Sequence, residues 1–365
     1  MKYSLIIPVF NRPEEVEELL QSLTWQTFTD MEVVVVEDGS SIPCEDVVKR
    51  YAGKLDVKYF KKPNSGPGPS RNFGAAHSQG EFLIILDSDV VVPPGYLAAV
   101  EDELKQSPCD AFGGPDRAHE SFTPMQKAIN YSMTSFFTTG GIRGGRKQMD
   151  RKFYPRSFNM GIRASLYHQL GGFSPMRFGE DIDLSLRIYE SGARCRLFPE
   201  AWVWHKRRTD LKKFFKQVHN SGIARINLMK RHPGSLKPVH LLPALFTVAT
   251  FALLALTAAS LAVAAIGGLS LATMEKPGCA TGPVCTTFAG ILGASVFLAP
   301  LAAFCLLILT DSSLRNRSLH IGALSVKASF IQLIGYGTGF LRAWWLRCVR
   351  GRDEELQAFR HNFYQ

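Results

Sequence analysis

The first 110 residues alternate between blocks of strand-type apolar residues and stretches of helical period. Residues 3–9 form a strand of the buried type, 31–37 (MEVVVVE) a second and 81–87 (EFLIILD) a third, with shorter candidates at 57–60 and 111–114. Between the first two, Val16, Leu19, Leu20 and Leu23 share one face of a helix that Pro13 can start. Strands bounded by helices at this spacing predict an α/β domain with a largely parallel sheet. The pattern then changes. Neither 238–274 nor 277–310 contains an Asp, Glu, Lys or Arg. A bilayer core takes about 20 apolar helical residues, so each run spans once. The tight polar turn Glu275-Lys276-Pro277-Gly278 between them gives a helical hairpin. A third stretch, 319–341, is weaker, being interrupted by Lys327 and carrying Gly335, Gly337 and Gly339.

Charge refines this picture. The chain has 365 residues, 46% apolar and 20% charged, which excludes disordered and collagen-like classes. Its net charge of +10 suggests nucleic acid only until it is located. Residues 1–205 hold 23 Lys/Arg against 26 Asp/Glu, 206–237 hold 10 against 1, and 238–365 hold 9 against 5. The positive charge is a band in front of the first apolar run, and no nucleic-acid partner is expected. Lys206, Arg207, Arg208, Lys212, Lys213, Lys216, Arg225, Lys230 and Arg231 before the hairpin, Arg315 and Arg317 after it, and Arg342, Arg347, Arg350 and Arg352 in the tail all read as cytoplasmic. That requires an even number of crossings, so 319–341 is expected to lie in the interface or re-enter. Leu5-Ile6-Ile7 is too short for a secretory signal and Pro8 ends it, which keeps 1–237 in the cytosol.

Within the band, Leu211, Phe214, Phe215 and Val218 form a helical stripe with Lys212, Lys213 and Lys216 placed away from it. This predicts an amphipathic helix with its apolar side toward acyl chains and its lysines toward anionic head groups; the plainer alternative is a helix packed on the domain. A similar stripe, Ile129, Met133, Phe136 and Phe137, reads as core or as the border of an acceptor entrance. The seven cysteines lack CxxC spacing, which excludes a zinc ribbon; Cys279 and Cys285 sit at the outer turn and would pair if that compartment is oxidising.

Ligands of open α/β sheets bind beyond the carboxyl ends of the strands. Those ends read Pro8-Val9-Phe10-Asn11, Glu37-Asp38-Gly39-Ser40 and Asp87-Ser88-Asp89. No GxGxxG or Walker loop follows the first strand, where Asn11, Arg12 and Pro13 stand instead. A phosphate placed directly against Asp87 and Asp89 would be repelled unless a divalent cation lay between, so the pattern suggests a metal–nucleotide site. Mn2+ or Mg2+ suits such an oxygen-rich site.

The ordered set Ile6-Ile7-Pro8-Val9-Phe10-Asn11, Val36-Glu37-Asp38-Gly39-Ser40, Ser70-Arg71-Asn72-Phe73-Gly74 and Asp87-Ser88-Asp89, followed by Gly171-Gly172-Phe173 and Gly179-Glu180-Asp181-Ile182-Asp183-Leu184, resembles glycosyltransferase family 2 over roughly residues 1–230. The resemblance implies a GT-A fold with a Rossmann-like mixed sheet, a nucleotide-diphosphate sugar donor and inversion at the anomeric carbon. It implies Asp89, with Asp87 and His205, as metal ligands; Pro8, Val9, Asn11, Asp38, Arg71, Asp87 and Ser88 on the nucleotide sugar; and Asp181 as general base with Glu180 as stand-in. Arg71 would reach base or phosphate, or else form a surface salt bridge. Clustering of Glu180, Asp181 and Asp183 raises their pKa values while a helix start at Gly179 lowers them, and Asp183 suits an i,i+4 pair with Arg187.

The processive members' QxxRW signature is missing; the comparable helix reads Gln217-Val218-His219-Asn220-Ser221, favouring transfer of one sugar per encounter. The basic loop 140–147 is placed to close over the diphosphate or touch a lipid phosphate, or is a plain connector. The expected organisation is a cytosolic catalytic domain (1–208), a basic interfacial helix (209–237), a two-span hairpin (238–310) and an interfacial or re-entrant tail (311–365). This predicts a multi-pass membrane enzyme acting on a lipid-linked glycan or glycolipid. The alternatives are transfer to polyprenyl phosphate and a catalytically silent scaffold.

Overall fold

The computed structural model describes residues 1–117, 119, 121–140, 153–207, 209–272, 281–352 and 354. The chain begins with β1 (Tyr3–Val9), α1 (Pro13–Leu23), β2 (Met31–Asp38), α2 (Glu45–Tyr51), β3 (Val57–Lys62), α3 (Pro67–Ala76) and β4 (Phe82–Leu86). β1 lies between β2 and β4 and is parallel to both, and β3 extends the sheet parallel to β2. These strands lack alternation because both faces are covered. Leu5, Ile7, Val33 and Val35 meet Val16, Leu19 and Leu20 of α1 on one side, while Ile6, Leu83 and Ile85 meet Leu166, Phe173 and Leu184 on the other.

The second half of this domain adds β5 (Val90–Val91), α4 (Tyr96–Gln106), β6 (Ala111–Gly113), β7 (Asp116–Arg117), α5 (Pro124–Thr134), α6 (Phe136–Thr139), β8 (Asn159–Arg163), α7 (Ala164–Gln169), α8 (Glu180–Glu190), β9 (Cys195–Leu197) and β10 (Val203–His205). The main sheet runs β3-β2-β1-β4-β8-β6-β9, with β8 antiparallel to both of its neighbours. A small sheet, β5-β10-β7, stands at the carboxyl end of β4. The mixed sheet of a GT-A fold is therefore present.

Four long helices follow: α9 (Leu211–Arg231), α10 (Leu242–Ala272), α11 (Thr281–Asn316) and α12 (Leu319–Trp344). Among the described residues, Pro238–Ala272 and Thr281–Asn316 are long and apolar enough to cross a membrane, and Leu245, Phe251, Ile266, Phe288 and Leu306 on them are exposed. The polar turn 275–278, Cys279 with its pairing to Cys285, and loop residues 141–147 lie outside the described residues.

One expectation is corrected. The stripe on α9 does not face acyl chains: Phe214 (0% exposed) and Val218 (3%) are enclosed by Ala128, Ile129 and Met133 of α5 and Ile321 and Ala328 of α12, and only Phe215 of the four is exposed. Residues 319–341, expected to lie in the interface or re-enter, form a single helix. α12 is laid against α9, with backbones so close that a Cβ on Gly339 would stand 2.0 Å from the His219 carbonyl oxygen and one on Gly222 2.1 Å from that of Tyr336. The glycines that weaken 319–341 as a lipid-facing span are the ones that let it pack.

Candidate active site

Pairing of β10 with β5 sets His205 opposite Val90, one residue past Asp89. This brings together groups more than a hundred residues apart in sequence. One ligand atom each from Asp87, Asp89 and His205 lies within 4.8 Å of the others. His205 Nε2 is 3.3 Å from Asp89 Oδ1, and Arg12 at the start of α1 donates from Nη1 to Asp89 Oδ2 at 2.5 Å. Burial works against the Asp89 carboxylate, but His205 and then Arg12 outweigh it and hold its pKa well below the usual range. Two carboxylates and an imidazole at this spacing, half-buried at a sheet end, fit a hard or borderline divalent ion such as Mn2+ or Mg2+.

The acidic segment opens α8. Gly179 takes a left-handed φ of +81°, which turns the chain into the helix and places Glu180 and Asp181 in its first turn. Asp181 Oδ1 accepts the Ile182 N–H at 2.8 Å, and Oδ2 accepts Arg156 Nε at 2.6 Å. Glu180 accepts Arg71 Nη1 at 2.9 Å, and the same guanidinium donates from Nη2 to Asp87 Oδ1 at 2.8 Å.

The competition of effects on these acids resolves differently at each. Burial, reinforced by Asp181, pushes Glu180 up to about 7 against the pull of Arg71. Burial also disfavours the Asp181 carboxylate, but Arg156, helped by Arg71 and the Ile182 N–H, outweighs it and the pKa falls. Asp183 is drawn away into a structural cluster with Arg187 and His232, both at 2.9 Å, and the i,i+4 pair is present.

On the nucleotide side, Pro8 and Val9 end β1, and Asn11, at φ +51°, accepts Ile42 N–H at 2.9 Å through Oδ1. Asp38 has no exposed surface: it accepts Ser65 N–H at 2.9 Å, Gly66 N–H at 2.8 Å and Lys62 Nζ at 2.6 Å. Oδ2 accepts only the Gly66 N–H and keeps a second lone pair, but with no exposed surface it would reach a base only if this cluster opened. Ser88, between Asp87 and Asp89, is nearly buried. Arg71, at 3% exposed, forms no surface salt bridge: its two terminal nitrogens donate to the carboxylates of Glu180 and Asp87. Arg12 and Arg156 are the additions to the predicted set. Arg12 directly follows the first strand end, a visible signal, whereas nothing local marks Arg156.

Residues 4–171 match the family model for glycosyl transferase family 2. The pre-mycofactocin glycosyltransferase of Mycobacterium tuberculosis is 31% identical over 242 residues, 65% of this chain and 49% of the relative. The probable glycosyltransferase YdaM of Bacillus subtilis is 27% identical over 228 residues, 59% and 53% of the two chains. The chain thus spans about half the length of these curated relatives. Among solved structures, the mannosyltransferase PcManGT of Pyrobaculum calidifontis, in complex with GDP-Man and Mn2+, superposes with a TM-score of 0.58 at 16% identity, over 95% of this chain and 88% of that one. At that identity the likeness is one of fold, and it takes in the C-terminal helices as well as the sheet.

Proposed function

Because residues 4–171 belong to glycosyl transferase family 2, we propose that the chain is a metal-dependent, inverting glycosyltransferase that moves one sugar from a nucleotide-diphosphate sugar to a membrane-borne acceptor, a lipid-linked glycan or glycolipid. The observation that carries this reading is the Arg71 bridge, one buried guanidinium spanning Asp87 and Glu180. It fixes the distance between the end that meets the departing diphosphate and the end that meets the incoming hydroxyl. A divalent cation held by Asp87, Asp89 and His205 would neutralise charge on the leaving diphosphate.

Asp181 takes the proton of the acceptor hydroxyl as that oxygen attacks the anomeric carbon from the face opposite the diphosphate; the new C–O bond forms as the bond to the diphosphate breaks. Arg156 keeps Asp181 ionised, and a carboxylate oxygen that accepts one N–H retains a second lone pair for the hydroxyl. Pro8 and Val9 offer backbone contacts to the base. Asp38 holds Lys62 and the Ser65–Gly66 backbone at that mouth. The apolar hairpin anchors the enzyme in the membrane, and the lysines and arginines at its foot set the catalytic half in the cytoplasm.

The test is release of nucleoside diphosphate from a panel of nucleotide sugars by detergent-purified protein with Mn2+ and lipid extract, beside Asp181→Asn and Asp89→Ala. Turnover of one donor that needs metal and lipid and is lost in both variants is expected. Full activity in Asp181→Asn would move the base to Glu180. A phosphorylated lipid as acceptor would replace the glycolipid reading by synthesis of a lipid-phosphate sugar. Donor binding without turnover in any extract would point to a silent subunit.

A further inference from the structure

Behind the metal-facing side chains lies a buried ion pair that none of the motifs assigns. Asp116 on β7 and Arg207, two residues beyond the end of β10, meet at 2.5 Å (Nη2 to Oδ2), their side chains 0% and 2% exposed. His205 stands between this pair and Asp89. Its Nδ1 is 3.7 Å from Asp116 Oδ2 and 3.4 Å from Arg207 Nη1, while Phe158 stacks on its ring at 4.9 Å. Arg207 is itself held in place: Nε and Nη2 donate to Asn130 Oδ1 at 3.1 and 2.9 Å, and its carbonyl accepts Gln126 Nε2 at 3.0 Å, both partners lying on α5.

A buried ion pair contributes little net stability compared with apolar packing, so its position at the far nitrogen of His205 asks for another reason. An imidazole that ligates through Nε2 carries its proton on Nδ1, and that N–H needs an acceptor. Asp116 Oδ2 faces it. Arg207 cannot accept; were it to donate to Nδ1 instead, the proton would sit on Nε2 and close off ligation. We propose that Asp116, charge-balanced by Arg207, positions His205 as a metal ligand by accepting the Nδ1–H and thereby turning the Nε2 lone pair toward Asp87 and Asp89. Arg207 keeps the Asp116 carboxylate in place; its Nε and Nη2 are spent on Asn130 and Asp116, which leaves Nη1, 3.4 Å from Nδ1, as the contact that competes with Asp116 for that nitrogen. The inference rests on Asp87, Asp89 and His205 being the cation site.

Mn2+ affinity, read without any donor by electron paramagnetic resonance of the free ion, tests it on the full chain in detergent. Asp116→Asn would turn an amide N–H toward Nδ1 and stabilise the wrong tautomer, so about 10–100-fold weaker Mn2+ binding is expected. Asp116→Asn/Arg207→Gln removes both buried charges, leaves neither unpaired, and should weaken Mn2+ binding to a similar extent with metal-free nucleotide binding unchanged. A folded double variant that binds Mn2+ like the wild type, while His205→Ala does not, overturns the proposal. If His205→Ala also binds normally, the cation-site assignment of His205 fails first and the positioning role fails with it.

Discussion

Glu180 and Asp181 are adjacent acids of one helical turn, yet their surroundings push them in opposite directions. The Glu180 carboxyl, raised from 4.5 to about 7, is protonated in the folded chain at a pH where the unfolded chain has released its proton. Its contribution to stability is therefore full below about pH 4.5 and is lost as pH rises through 7. Glu180→Gln should flatten that slope, so that in metal-free buffer the difference in apparent Tm between variant and wild type moves in the variant's favour from pH 5 to pH 8. A parallel pair of Tm curves would refute it. For Asp181 the arginine sets the sign: Arg156→Gln removes the charge that holds its pKa down, so the acidic limb of the kcat/KM profile should move to higher pH. Asp181→Asn should cost about 10²–10⁴ in kcat. The acids themselves were legible because Gly-Glu-Asp is a local signal at a helix start. Their charge states were not, because Arg71 comes from α3 and Arg156 from the approach to β8, and no spacing in the sequence joins either to α8.

At the scale of elements, period shows that a face is covered but not by what. The α1 stripe and the strands of the central sheet were legible because neighbours in sequence cover them. The α9 stripe has the same period, but α5 and α12 cover it, about a hundred residues away on either side, and lipid was the wrong partner. The glycines of α12 were the overlooked clue, since they are needed only where another backbone approaches. Gly339→Val should lower the apparent Tm, at a cost of about 1–3 kcal/mol, because the obstruction is the His219 carbonyl, which cannot rotate away. Gly268→Ala in α10, with nothing within 4 Å of its Cβ, is the control and should change little. Equal effects from the two would remove close approach as the reason for these glycines.

Over the whole molecule, the charge arithmetic separated a near-neutral catalytic half from an apolar hairpin but gave no hint of how firmly one is joined to the other. The join runs through α5. Tyr131 Oη donates to Asp311 Oδ2 at 2.6 Å, and Arg315 Nε lies 2.9 Å from the same oxygen. Asp311 is the first charge after the run that began at 277, and the tyrosine that meets it belongs to the helix that also holds Arg207. Burial and then this bond push the Tyr131 phenol up to about 12, so it stays a donor across the working pH range. Tyr131→Phe deletes the bond and keeps the ring, at an expected cost of about 1.5–3 kcal/mol, since the acceptor is charged. Faster hydrogen exchange along α5, with α1 and the central strands unchanged, would locate that loss at the join. Unchanged exchange would leave the contacts of Ala128, Ile129 and Met133 with α9 and α12 as what holds the halves together, because apolar packing alone needs no particular oxygen to be in place.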